Sequence, residues 1–97
     1  MQGLRYNPVH YVALGSRTVL TVEFSLCGNM LVATTDDSRV VVWEVSSGQQ
    51  FYPELQFNCP AISLLWITTT TFLIGLEDGC MVTCLVLRDS KTVRWPY

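Results

Sequence analysis

From Thr18 to Leu87, apolar and polar residues alternate in short bursts separated by turn-forming residues. Thr18 to Phe24 places Leu20, Val22 and Phe24 on one face and Thr21 and Glu23 on the other, the period-2 pattern of a half-buried strand. Ser25-Leu26-Cys27-Gly28-Asn29 breaks the run, and Met30 to Thr35 resumes it. Asp36-Asp37-Ser38 supplies the next turn, because short acids and serine bond back to neighbouring backbone. Arg39 to Val45 is apolar at nearly every position, as a strand covered on both faces must be. After the polar loop Ser46 to Gln49, Gln50 to Phe57 reads as a weaker strand. Pro53 has no amide to donate, which predicts an edge position for it. No long segment carries the apolar period of a helix, so the class is all-β.

The cycle then restarts. Ala61 to Ile67, Phe72 to Leu76 and Cys80 to Leu87 are strands, with turns at Thr68 to Thr71 and Glu77-Asp78-Gly79. Arg88 to Lys91 repeats the polar loop, and Thr92 to Tyr97 begins another edge strand. Ser38 corresponds to Gly79 and Trp43 to Cys84, both 41 residues apart, while Val22 corresponds to Leu64 and Phe24 to Trp66 at 42. Four strands recurring every 40 to 45 residues or so are the signature of a propeller blade.

The stretch from Leu31 to Val45 runs strand, two-Asp turn, strand, and ends in Trp43-Glu44. It resembles the b–c hairpin of the WD-repeat β-propeller family, with Trp-Glu where the family has Trp-Asp. Val19, Val22, Phe24-Ser25, Gly28, Leu31 and Asp37, six positions before Trp43, are similar to the wider family pattern. The resemblance implies two four-stranded antiparallel propeller-type blades, a partial β-propeller. Residues 1–17 are then an N-terminal segment with one edge strand over Val9 to Leu14, residues 18–57 a first blade and residues 61–97 a divergent second. It also implies a buried structural relay through Thr35, Asp37 and Trp43. The family's Gly-His step is missing, so Asp37 has fewer partners and is expected nearer to solvent. In the second copy Leu76 and Cys84 replace the hydroxyl residue and the Trp, so packing alone holds that blade.

Two blades do not close a ring that needs about four to eight. An open arc leaves an apolar face bare on each blade, and terminal repeats normally carry polar outer faces that are not evident here. The chain is therefore expected to self-associate or to take its place among the remaining blades of a larger propeller.

Composition narrows the function. The chain has 97 residues, 49% of them hydrophobic and 14% charged, which supports one ordered domain. Six scattered Lys and Arg against eight acids leave no basic footprint for nucleic acid. No run reaches the roughly 18 to 20 apolar residues of a membrane span, and the N-terminus lacks a signal peptide's basic start and apolar core. The expected setting is intracellular, cytoplasmic or nuclear. Cys27, Cys59, Cys80 and Cys84 fit neither a zinc spacing nor a disulfide framework, and are expected to be free thiols.

The candidate chemistry is sparse. Asp36-Asp37 and Glu77-Asp78 are paired carboxylates, but acids favour tight turns and both pairs sit in b–c turns. One histidine, His10, and serines without a nucleophile-elbow context argue against a catalytic triad. Trp43, Trp66, Phe24 and Phe72 form an aromatic set that reads as core rather than as a ligand cage. No cofactor is implied, and the chain is expected not to be an enzyme. In the family, one ring face built from loops often docks partner peptides, which makes Arg17, Asp36, Asn58 and Glu77 the candidate partner-binding positions. The expected function is a protein–protein interaction scaffold that binds other proteins or peptides. The alternatives are a fragment of an enzymatic or cofactor-binding propeller, or a truncated product without independent function.

Overall fold

The computed structural model describes residues 17–95. Eight strands occupy them: β1 Val19–Phe24, β2 Met30–Thr35, β3 Arg39–Glu44, β4 Gln50–Gln56, β5 Ala61–Trp66, β6 Thr71–Leu76, β7 Met81–Leu87 and β8 Thr92–Arg94. No helix lies among the described residues, so none there is long and apolar enough to cross a membrane. The predicted strand over Val9 to Leu14 falls outside them, as do His10 and the last two residues.

The strands form one sheet in the order β1-β2-β3-β4-β8-β7-β6-β5, curled until β1 and β5 lie side by side. It is a nearly closed, barrel-shaped sheet. Two antiparallel meanders, β1 to β4 and β5 to β8, make its halves. They join where β4 and β8 run parallel, through the pair Tyr52 and Thr92 and the bond from Tyr52 N to Lys91 O, 3.1 Å. These pairings leave β1 and β5 running in the same direction, with no ladder between them among the described residues.

Both meanders repeat the same local devices. The first strand carries one extra residue opposite the second, at Leu20 in β1 and at Ile62 in β5, a β-bulge at equivalent positions. The three-residue turns at 36–38 and 77–79 close with Ser38 N bonded to Thr35 O at 3.2 Å and Gly79 N bonded to Leu76 O at 3.0 Å. Their last residues are left-handed, Ser38 at φ 68° and Gly79 at φ 92°. Glycine accepts that conformation without cost to a Cβ, whereas Ser38 does not.

The main core lies between the halves. Met30, Val32, Val40, Val42, Phe51 and Leu55 from the first meet Trp66, Phe72, Ile74, Cys84, Val86 and Val93 from the second, all buried. β3 is covered on both faces as its sequence predicts, since Val41 and Trp43 join Ala33 in a separate buried cluster on the far side.

The halves meet through non-equivalent faces. Leu64, Trp66 and Cys84 of the second half point into the shared core. Their counterparts Val22, Phe24 and Trp43 share ladder rows with Ala33 and Leu31 on the side of the first half turned away from it. This explains a departure from expectation. The apolar face of β1 does not enter the core: Leu20, Val22 and Phe24 are 42%, 48% and 59% exposed. Phe24 is thus not core, unlike Trp43, Trp66 and Phe72.

Pro53 also departs from its expected place. β4 lies inside the sheet between β3 and β8 rather than at an edge. The β3 ladder skips from Val40–Leu55 to Val42–Phe51, so Tyr52 to Glu54 form an insertion that needs no donor from residue 53.

Candidate docking rim

Because β1, β3, β5 and β7 begin at one end of the barrel and β2, β4 and β6 finish there, four backbone segments share that end. They are Arg17-Thr18, the turn Asp36 to Ser38, the connector Phe57 to Pro60 and the turn Glu77 to Cys80. Backbone bonds hold them together: Asp36 N to Thr18 O at 2.9 Å, Phe57 N to Ser38 O at 2.9 Å and Glu77 N to Pro60 O at 3.0 Å. Arg17, Asp36, Asn58 and Glu77 are therefore brought to a single rim.

Their surroundings differ. Thr18 N donates to Asp36 Oδ1 at 3.0 Å, so this exposed carboxylate also clamps the start of β1. Arg17 reaches across to Glu54 on β4, with Nη1 to Oε1 at 3.0 Å. Arg39 bridges Glu54 at 3.5 Å and Asp37 at 3.2 Å, and Gln50 donates to Glu54 at 3.2 Å. The bond from Arg17, then those from Gln50 and the charge of Arg39, hold the Glu54 carboxyl below its usual range. Glu54 bonds back and keeps the Arg17 guanidinium more firmly protonated. Asn58 and Glu77 have exposed side chains.

Of the relay residues, Thr35 and Asp37 are joined. The buried Thr35 hydroxyl donates to the Asp37 carboxylate and accepts from Arg39 N at 3.3 Å. That bond, with the charges of Arg17 and Arg39, lowers the Asp37 pKa. Asp37 is exposed, and Thr35 and Arg39 are its side-chain partners. Trp43 stands apart: it pairs with Leu31, four residues beyond Arg39, or about 13 Å along the strand. Among the described residues its indole makes no hydrogen bond to Thr35 or Asp37.

Sequence reasoning missed Glu54 and Arg39, whose roles depend on the insertion at Tyr52 to Glu54. It also missed a thiol–carboxylate cluster. Asp78 Oδ1 accepts from Cys80 N at 3.0 Å, and the thiols of Cys80 and Cys59 act on the same carboxylate, lowering its pKa. Asp78 in turn raises the Cys80 thiol. No three groups among the described residues converge to hold a metal ion.

The two ends of the barrel differ in charge. The rim carries Arg17 and Arg39 against Asp36, Asp37, Glu54, Glu77 and Asp78. At the opposite end, Glu44 meets Lys91 at 3.5 Å, Arg88 at 3.9 Å and Ser47 at 2.8 Å, with Asp89 and, near the end of β1, Glu23 besides. Ser47 first, then Lys91 and Arg88, lowers the Glu44 carboxyl.

Scans against protein-family models, curated proteins and solved structures returned no match.

Proposed function

We propose that the chain is a non-catalytic interaction module of WD-repeat type, whose rim docks protein or peptide partners. The observation that carries this reading is the convergence of Arg17, Asp36, Asn58 and Glu77 on one end of the barrel. Asp37 and Glu54 are engaged by arginines, whereas Glu77 and Asp78 are exposed, so the rim favours a basic segment. The blade reading is supported by the unlike faces through which the halves meet. Plates stacked front to back can continue in both directions, as blades of a ring do. The exposed apolar rows of β1 and β5 are then the surfaces through which the chain self-associates or joins further blades. Four unpaired cysteines support an intracellular setting.

The test is a displayed peptide library selected on the folded chain. Selected peptides are then rebound to a Glu77→Lys, Asn58→Lys variant and to Ser47→Lys at the opposite end. The rim changes are expected to weaken binding about tenfold or more and Ser47→Lys to leave it unchanged. Peptides that bind tightly but ignore the rim substitutions would overturn the assignment.

A further inference from the structure

Cys59 and Cys80 are 21 positions apart in sequence, yet the fold brings both to one carboxylate. The β5–β6 ladder pairs Ala61 with Leu76 and continues through Glu77 N to Pro60 O, which sets Cys59 level with Asp78. On the other side, Leu76 N bonds Cys80 O at 2.8 Å and Cys80 N bonds Asp78 Oδ1 at 3.0 Å, curling Cys80 back to the same acid. Glu77 to Cys80 are all exposed, so a soluble oxidant can reach Cys80, and Cys59 is half-buried against the core. The other thiols are differently placed. Cys27 lies in the β1–β2 turn at the far end, and Cys84 is buried in the core.

We propose that Cys59 and Cys80 form a redox-modification site, closing to a disulfide across Asp78 when a disulfide oxidant such as oxidised glutathione is present. One thiolate attacks a glutathione sulfur and expels a glutathione thiolate, giving a mixed disulfide on the protein. The second thiolate attacks the protein-bound sulfur and expels the second glutathione. Two protein thiols lose two protons and two electrons, and the oxidant becomes two glutathione thiols. Exposed Cys80 attacks first and half-buried Cys59 resolves. Asp78 acts as a brake, because its negative charge opposes the Cys80 thiolate that the first step requires. The bond ties the connector between the two halves to the β6–β7 turn. It does not depend on any partner of the rim.

The experiment treats the whole chain with oxidised glutathione, traps remaining thiols with iodoacetamide and maps chymotryptic peptides by mass. The expected product is a Cys59–Cys80 cross-link lacking two hydrogens, formed equally in Cys27→Ser and absent from Cys59→Ser and Cys80→Ser. Asp78→Asn is expected to speed closure about two- to threefold. Removing the charge raises the Cys80 thiolate fraction, and the lower nucleophilicity of the more acidic thiol takes back roughly half of that gain on a logarithmic scale. Glutathione adducts without the internal bond, or a bond to Cys27 or Cys84, would overturn the site. Closure at an unchanged rate in Asp78→Asn would overturn the brake.

Discussion

Replacing Trp66 with Phe is expected to cost almost nothing, whereas the same change at Trp43 costs measurable stability. Both rings are buried, 5% and 6% exposed. Trp→Phe gives up roughly two buried carbons, or about 1.5 kcal/mol at ~0.8 kcal/mol each. At Trp66 a second effect opposes this one. Its Nε1 is the one sealed, unpartnered side-chain nitrogen or oxygen among the described residues. A buried donor left without an acceptor costs about 1 to 3 kcal/mol, and Phe removes it. The net change at Trp66 is therefore within about 1 kcal/mol of zero, while Trp43→Phe loses the full ~1.5 kcal/mol. In the alanine versions both sites lose about 3 to 5 kcal/mol of ring packing, and Trp43→Ala remains the costlier because Trp66→Ala also discards the orphaned donor. Urea melts followed by circular dichroism measure the four variants, with unchanged slopes confirming comparable transitions. A loss of about 2 kcal/mol or more in Trp66→Phe would refute the reasoning and mean that the indole has an acceptor, such as a buried water.

Ser38→Gly is expected to stabilise the chain by about 0.5 to 1 kcal/mol, the left-handed penalty less the chain entropy of glycine; an unchanged urea midpoint would contradict this. Glu54→Gln is expected to destabilise the protein at neutral pH. The Glu54 pKa is lowered on folding, so its contribution is present above the ordinary carboxylate range and fades as pH falls through the folded value. Melts of the two proteins should therefore converge in acid, and a gap that persisted there would contradict the ion-pair account. In native protein, iodoacetamide should modify Cys27 readily, because the Ser25 hydroxyl at 3.6 Å and the Asn29 backbone lower its pKa. Cys84, pushed up to about 12 by burial, should react only after unfolding, and early labelling of Cys84 would contradict its core placement. Sedimentation over a range of concentrations should show self-association through the open rows of β1 and β5, and a monodisperse monomer near 11.0 kDa would count against it.

The eight strands were legible because alternation and turn chemistry are local properties. Met30–Thr35 matches the predicted limits, and the other strands begin or end within three residues of theirs. The rim was legible in part, since strand order alone sends those four loops to one end. The facing of β1 was not. Leu20, Val22 and Phe24 have a core-like pattern, but whether such a face is covered depends on which side of the meander receives the next one. Pro53 misled for a related reason, because sequence shows a missing donor but not an insertion that needs none. The Arg17–Glu54 pair spans the first meander over 37 positions, and the meeting of Cys59 with Asp78, 19 positions apart, follows from the β5–β6 register continuing past the strand ends; neither leaves a local signal.

The seam between β4 and β8 has a consequence for how the polypeptide can be divided. No strand of either meander threads through the other, and a single bridge pair, Tyr52 with Thr92, joins those two strands among the described residues. The connector Phe57 to Pro60 is thus mainly a tether that keeps the two pieces at high mutual concentration. Severing it would leave every antiparallel ladder whole within its own piece, and reunion would rest on side-chain adhesion across the shared core. The molecule is in this sense a covalently linked pair of subunits. It is suited in principle to fragment complementation, with the association of its pieces measuring the strength of the core.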